Sequence, residues 1–300
     1  MKVAFIGLGN MGAPMARHLI TRGFDIHVFD VDPKLRGEFG EIFAESLAAV
    51  SVDADIVVTM LPNSQIVRQA LLGEDAALSN ARPGATVLEM SSSDAIDTVA
   101  LGADLQALGF ALVDAPVSGG VALAGQGKLA IMTGADDADA LVKCMPLLEV
   151  LGSRVLPVGK LGAGHAAKAI NNLIAATILG VTCEGMVLAD KFGIDPAVML
   201  DVLNSASGRS AISETIFRPH VLERKFGVGF ALSLMAKDVN LGASLKDSLG
   251  LHLPLFADAA QCWTNALEKV DPAADFTAYL TFIEGLNGSE PISSAKMAAD

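Results

Sequence analysis

Aromatic residues are scarce in this 300-residue chain, at 5%, with one tryptophan and one tyrosine. Cysteine is scarcer still. Cys144, Cys183 and Cys262 are odd in number and far apart, so neither a disulfide framework nor a zinc site is expected. That usage points to a reducing, cytoplasmic setting. Basic residues are outnumbered, 21 Lys+Arg against 34 Asp+Glu, for a net charge of -13. General nucleic-acid binding wants a basic face and is excluded; a local cationic site for a small anion is not. A long uninterrupted apolar run is also missing. The richest region, Leu173 to Ala189, is broken by Thr177, Thr182, Cys183 and Glu184, whereas a membrane span needs about 20 nearly unbroken apolar residues. The N-terminus enters a strand at once and lacks the pattern of a secretory leader.

What the chain does have is aliphatic bulk. It is 52% hydrophobic, with mean hydropathy +0.48, mostly from Ala, Val, Leu and Ile. Its length suits two domains. The first half alternates short apolar β-rich runs with helical patterns: Val3–Ile6, Ile26–Phe29, Ile56–Thr59, Thr86–Glu89, Ala111–Asp114, Leu129–Thr133 and Arg154–Pro157. Strands apolar on both faces, separated by helices, predict a mostly parallel two-sided sheet. After Pro157 the β signals stop and helical periodicity takes over. The expected fold is α/β: a Rossmann-type, doubly wound sheet over 1–161, then an all-α domain over 162–287, with 288–300 as a flexible tail.

The first strand runs into Gly7-Leu8-Gly9-Asn10-Met11-Gly12, followed by a helix. Glycine in the first position permits a tight turn, in the second lets backbone approach a pyrophosphate, and in the third lets helix and strand close up. The helix N-terminus then offers its N–H groups to phosphate. Asp30 ends the second strand, where a carboxylate accepts hydrogen bonds from ribose hydroxyls and repels a 2′-phosphate. No arginine stands immediately after it, where Val31, Asp32 and Pro33 follow, so NAD is expected ahead of NADP. Met60-Leu61-Pro62 and Ser91-Ser92-Ser93 close the third and fourth strands, at the sheet end where ligands bind; each also reads as a plain turn.

The long helical stretch starting near Gly162 carries Gly164, Lys168 and Asn172 four residues apart, on one face. By spacing alone they read equally as a solvated lysine and a packing amide. The Tyr–Lys pair that serves some dehydrogenases is absent, because Tyr279 is followed four residues on by Ile283. No Cys/His cluster could hold a catalytic metal. Lys168 and His165 remain as candidate proton carriers. Asp114-Ala115-Pro116-Val117-Ser118-Gly119-Gly120 leaves a strand end with adjacent glycines, which reads both as an anion-binding nest and as a flexible connection.

Four segments together resemble the β-hydroxyacid dehydrogenase family: Phe5 to Ala16, Asp114 to Gly120, Gly162 to Asn172, and Lys237-Asp238. The resemblance spans Lys2 to about Gly285 and implies roles. Lys168 would be the catalytic acid–base and Asn172 would orient it and the substrate. Ser118, Gly119 and Gly120 would hold a substrate carboxylate. Lys237 would approach cofactor and substrate, with Asp238 supporting it. Leu61, Pro62 and Ser93 would line the nicotinamide side. His18 and Lys128 depart from the family's usual residues without removing a catalytic group. Related 6-phosphogluconate dehydrogenases place a Glu one turn beyond the Asn; here that region reads Leu173-Ile174-Ala175-Ala176, so oxidation without loss of carbon dioxide is expected.

The resemblance thus implies hydride transfer between NAD and the alcohol carbon of a small anionic 3-hydroxyacid. The alternatives are NADPH-dependent reduction of small aldehyde acids, and a non-catalytic nucleotide-binding protein. Arg209 is either a contact for a second anionic group or an exposed arginine. A homodimer or homotetramer is expected, with neither nucleic acid nor membrane as partner.

Overall fold

A computed structural model describes residues 1–293. Eight strands form one sheet: β1 (Lys2–Ile6), β2 (Asp25–Phe29), β3 (Ile56–Thr59), β4 (Thr86–Glu89), β5 (Ala111–Asp114), β6 (Val117–Ser118), β7 (Leu129–Ala135) and β8 (Gly152–Gly159). The first five run parallel in the order β2-β1-β3-β4-β5. The strand order therefore reverses beside β1, and the glycine turn leaves the carboxyl end of β1 at that switch point, where open α/β sheets bind ligands. β7 runs antiparallel to β5 and β6 and parallel to β8.

The helices are α1 (Gly12–Thr21), α2 (Arg36–Phe39), α3 (Leu47–Val50), α4 (Ser64–Leu72), α5 (Ala95–Ala107), α6 (Gly120–Ala124), α7 (Ala138–Leu151), α8 (Ala163–Phe192), α9 (Pro196–Ser205), α10 (Leu232–Ser248), α11 (Pro254–Ala266) and α12 (Tyr279–Leu286), with a π-helical segment at Ile212–Leu222. Strand residues alternate between two cores because successive side chains point to opposite faces. Val3, Phe5, Val28, Val58, Leu88 and Val113 pack on one face; Ala4, Ile6, Val57, Val87 and Leu112 pack on the other. Both sides are covered, which is why the strands read as apolar throughout.

The chain divides into two compact units, Met1–Lys168 and the helical part from Ala169 on. The second has its own core, in which Leu173, Leu179, Met186, Leu232, Val239, Phe217 and Ile283 are buried. Trp263 stacks on Tyr279 there, with ring centroids 4.4 Å apart. The 30-residue α8 is, by length and composition alone, apolar enough to cross a membrane, contrary to the expectation from its interrupted run; 56% of its most apolar window is buried in the protein.

Two further details differ from the sequence reading. Val117 and Ser118, read as either nest or connection, form strand β6, paired with Ile131 and Ala130. Of the stretch 288–300, residues 294–300 lie outside the described part. Ile292 is fully buried, its N–H donating to Glu284 Oε1 at 2.7 Å and its carbonyl accepting from Arg224 at 3.1 Å.

Candidate active site

The three loop glycines are conformationally distinct. Gly7 has φ +98°, and a Cβ there would overlap the Met60 carbonyl oxygen. At Gly12 a Cβ would overlap the Gly7 carbonyl oxygen and lie 3.3 Å from the Phe5 ring. At Gly9 a Cβ would meet nothing within 4 Å. Two glycines are thus demanded by the protein's own packing, while the third faces open space. Asn10 is exposed beside Gly9, and Met11 caps α1 without a side-chain hydrogen bond. The helices α4, α5, α7 and α9 are capped by the side chains of Asn63, Asp94, Asp137 and Asp195. The α1 N-terminus has no such side-chain cap; in its first turn Ala13 N–H donates to the Gly9 carbonyl at 3.1 Å and Pro14 has no N–H.

Asp30 ties this loop to the second strand. Its Oδ2 accepts the N–H of buried Leu8 at 2.6 Å, and its Oδ1 accepts the Asp32 N–H at 2.9 Å. The open backbone at Gly9, the α1 N-terminus and the Asp30 carboxylate thus lie together at the carboxyl end of β1 and β2.

The turns after β3 and β4 are bound together. Ser91 Oγ accepts the Leu61 N–H at 2.8 Å, which joins the Leu61-Pro62 and Ser91–Ser93 segments. Leu61 is half-buried and Pro62 exposed. Ser93 is buried and its hydroxyl has no protein partner.

Beyond β6, Gly119 (φ +138°) and Gly120 (φ +70°) are both left-handed and exposed. Successive residues of this kind turn backbone N–H groups toward one concavity. Asp114, which ends β5 four residues before Ser118, is fully buried and holds the start of α8. Its Oδ1 accepts the Gly162 N–H at 2.7 Å and its Oδ2 the His165 N–H at 2.8 Å. Gly164 fits against the same carboxylate: a Cβ there would lie 2.6 Å from Asp114 Oδ2 and 2.5 Å from the Met132 carbonyl oxygen. Its absence of side chain therefore serves helix–sheet packing, where the sequence suggested room for a neighbouring functional group. One turn on, Lys168 is half-buried.

His165, weighed from sequence as a proton carrier, is 1% exposed. Its Nε2 lies 2.7 Å from Glu89 Oε2 and 3.2 Å from the Ser91 carbonyl; its Nδ1 lies 2.8 Å from Thr98 Oγ1 and 3.8 Å from Asp114 Oδ2. Burial opposes charge on the ring, but Glu89, Asp114 and the Ser91 carbonyl outweigh it and raise the His165 pKa above its usual value. Burial likewise opposes the Glu89 carboxylate, yet His165 and Ser91 hold its pKa below the usual range. Asp114 goes the other way, raised by burial and by the neighbouring Glu89 charge against the pull of His165 and two N–H groups.

In the second unit, Asn172 Nδ2 donates to Asp238 Oδ2 at 2.7 Å, and Lys237 Nζ lies 3.3 Å from Asp238 Oδ1. Asn172 and Asp238 are both buried. Gly242, one turn beyond Asp238, lets α10 close on α8: a Cβ there would lie 3.0 Å from the Ala169 carbonyl oxygen and from Leu173 Cβ. Arg209 is exposed and sits 3.6 Å from Glu214.

Sequence reasoning missed Glu89, Thr98 and the part played by Asp114. The available signal was an acid at the end of each of two apolar parallel strands, where an unpaired charge is not tolerated.

A doubly wound sheet with an open glycine turn at its switch point, a carboxylate just after β2 and a lysine in the second turn of α8 is the arrangement of a nicotinamide-dinucleotide oxidoreductase. Comparison with known proteins narrows the class. A model described as the NAD binding domain of 6-phosphogluconate dehydrogenase matches residues 2–159. A model described as the NAD-binding of NADP-dependent 3-hydroxyisobutyrate dehydrogenase matches residues 162–283. The chain is 32% identical over 294 residues to 2-(hydroxymethyl)glutarate dehydrogenase of Eubacterium barkeri, covering 96% of each. It is 34% identical over 296 residues to NAD-dependent L-serine dehydrogenase of Pseudomonas aeruginosa, covering 96% of this chain and 99% of that one. Mycobacterium tuberculosis 3-hydroxyisobutyrate dehydrogenase, solved with L-serine, superposes with TM-score 0.86 at 31% identity, over 94% of this chain and 98% of that one. The chain belongs to the β-hydroxyacid dehydrogenase family.

Proposed function

We propose that this protein oxidises a short 3-hydroxyacid at its primary alcohol, giving the semialdehyde, with NAD as the hydride acceptor. One observation carries the reading. Asp114 fixes the first turn of α8, and so Lys168, against the same strand end that leads into Ser118–Gly120. A proton carrier and an anion-holding turn thus share one rigid support. The alcohols named for the three relatives share one chemical form, HOCH2–CH(R)–COO−.

In this reading the Ser118–Gly120 backbone and hydroxyl hold the substrate carboxylate. NAD, when bound, would supply the acceptor for the hydride that leaves the alcohol carbon. Lys168 Nζ takes the hydroxyl proton, and returns it when the reaction runs in reverse. Asn172, one turn further along α8, orients the alcohol, and Asp238 fixes its carboxamide. The family resemblance gives Lys237, beside Asp238, a role toward cofactor and substrate. Ser93 offers its unpartnered hydroxyl to the cofactor beside Leu61 and Pro62. The Asp30 carboxylate favours ribose over a 2′-phosphate, which supports NAD above NADP and disfavours NADPH-dependent reduction of small aldehyde acids.

The test is a panel of HOCH2–CH(R)–COO− acids with NAD and NADP, followed by absorbance of the reduced nicotinamide. Lys168→Ala should retain cofactor binding and lose about 10²–10⁴-fold in kcat, the usual contribution of a positioned acid–base. Turnover at the wild-type rate would sink the role.

Val181, Leu188 and Phe192 on α8 are 61%, 72% and 83% exposed, a seven- and four-residue spacing that puts them on one face. A second copy of the chain covers that face. Leu188→Glu should lower the sedimentation mass toward a monomer; an unchanged mass would exclude this face as the interface.

A further inference from the structure

Strands β4 and β5 place Glu89 and Asp114 in direct register, and both carboxylates are buried. Two neighbouring buried acids cannot both stay ionised without a cation between them. His165 is the group that meets both. Its hydrogen-bond partners fix its protonation independently. The Thr98 hydroxyl donates to the Asp94 carbonyl at 2.8 Å, which turns its lone pairs toward His165 Nδ1 at 2.8 Å. On the other side, Nε2 faces the Ser91 carbonyl and a Glu89 oxygen. Glu89 Oε1 accepts the Ser91 N–H at 2.9 Å and the Thr59 hydroxyl at 3.3 Å, as a carboxylate does. With only acceptors at both nitrogens, both must carry hydrogen.

We propose that His165 is held as an imidazolium between Glu89 and Asp114, and that this triad is a positioning device locking the Ser91–Ser93 turn to the first turn of α8, three residues before Lys168. The part concerning Lys168 rests on the function proposed above. His165 touches none of the reacting atoms; it acts through the two segments it joins. The clamp reaches further through Ser91 Oγ to Leu61, so one charged ring sets the spacing among the turns after β3 and β4, the end of β5 and the start of α8. The groups facing it are Glu89 from β4, the Ser91 carbonyl just after β4, Asp114 from β5 and Thr98 from α5. Glu89 and Thr98 also wall a cavity of about 400 Å³ whose other charged residues are Arg68, Asp97 and Asp104.

Two measurements test this. Nitrogen-15 spectra of histidine-labelled protein should show both His165 ring nitrogens protonated at pH 7; a neutral ring overturns the proposal. Glu89→Gln, which keeps shape and removes charge, should lower kcat on the order of 10²-fold, the scale of a small misplacement of catalytic groups, with a smaller change in KM for NAD. It should also move the alkaline limb of the kcat–pH profile to lower pH. A wild-type profile, or equal losses in kcat and in cofactor affinity with no pH shift, overturns positioning in favour of mere packing. If Glu89→Gln does not fold, Thr98→Val removes only the Nδ1 acceptor and should move the same limb in the same direction; an unmoved limb overturns the proposal. If no hydroxyacid is turned over by the intact enzyme, the proposed function fails and the Lys168 role falls with it, while the ring spectrum still decides the ion triad.

Discussion

The glycine turn separates two uses of the same residue, and alanine substitution should separate them experimentally. At Gly12 an added methyl overlaps the Gly7 carbonyl oxygen and presses on Phe5. Overpacking of that kind costs about 1–3 kcal/mol. With roughly 2–4 °C lost per kcal/mol in a unit of this size, Gly12→Ala should melt roughly 2–12 °C below wild type. At Gly9 the methyl meets no protein atom within 4 Å, and no left-handed backbone is required. Gly9→Ala should therefore fold as well as wild type, or slightly better through a less flexible unfolded chain. Its cost should appear on the ligand side. If the pyrophosphate lies over Gly9, a methyl there displaces at least one charge-assisted contact, about 1.5–3 kcal/mol, or roughly 10–150-fold in Kd. Far-UV circular dichroism melts and NADH titrations followed by nicotinamide emission would measure both quantities. Wild-type NADH affinity in Gly9→Ala would refute pyrophosphate binding at this loop. A wild-type melt in Gly12→Ala would refute the steric account.

Asp30→Arg should shift the NAD:NADP ratio of kcat/KM toward NADP, and should weaken NAD in absolute terms because Leu8 loses its acceptor; an unchanged ratio would count against the ribose reading. Asp238→Ala leaves the Asn172 carboxamide without its 2.7 Å partner, so chemical denaturation should show a loss of about 1–3 kcal/mol, with kcat falling more than KM rises. Stability should also depend on pH through the buried triad. His165 is raised above 6.5, so its contribution is complete below that pH and is lost as pH climbs through the folded value. Glu89 is depressed below 4.5, so its contribution is complete above that pH and is lost as pH falls through the folded value. Thermal melts across pH should plateau between these limits, and His165→Gln should abolish the alkaline decline; a variant that keeps it would exclude His165 as the titrating group.

Much of the architecture was legible because it depends on local pattern. Fully apolar strands such as Ile56–Thr59 announce a sheet covered on both sides, and a glycine turn between strand and helix announces a phosphate-binding bend. β6 escaped because two residues carry no periodicity; it exists only through pairing with β7. The site was legible where one segment carries it, as at Gly7–Gly12 or Gly162–Asn172. It was opaque where the contact is made by topology. Nothing local in Thr86–Glu89 says that its last residue will stand opposite Asp114 or that His165 will arrive between them. That follows from the register of β4 with β5 and from the capping of α8 by Asp114. The Asn172–Asp238 bond is similar, since it needs α10 to close on α8 through Gly242.

The stacking of Trp263 on Tyr279 gives the molecule an uneven optical signature. These are its sole tryptophan and sole tyrosine, both 1% exposed in the helical core. Intrinsic ultraviolet emission will thus come almost wholly from one half of the chain, blue-shifted by its dry surroundings and redshifting when that half alone opens. Loss of the dinucleotide-binding half would pass unseen in such a trace, so a single smooth fluorescence transition would not demonstrate that the two halves unfold together.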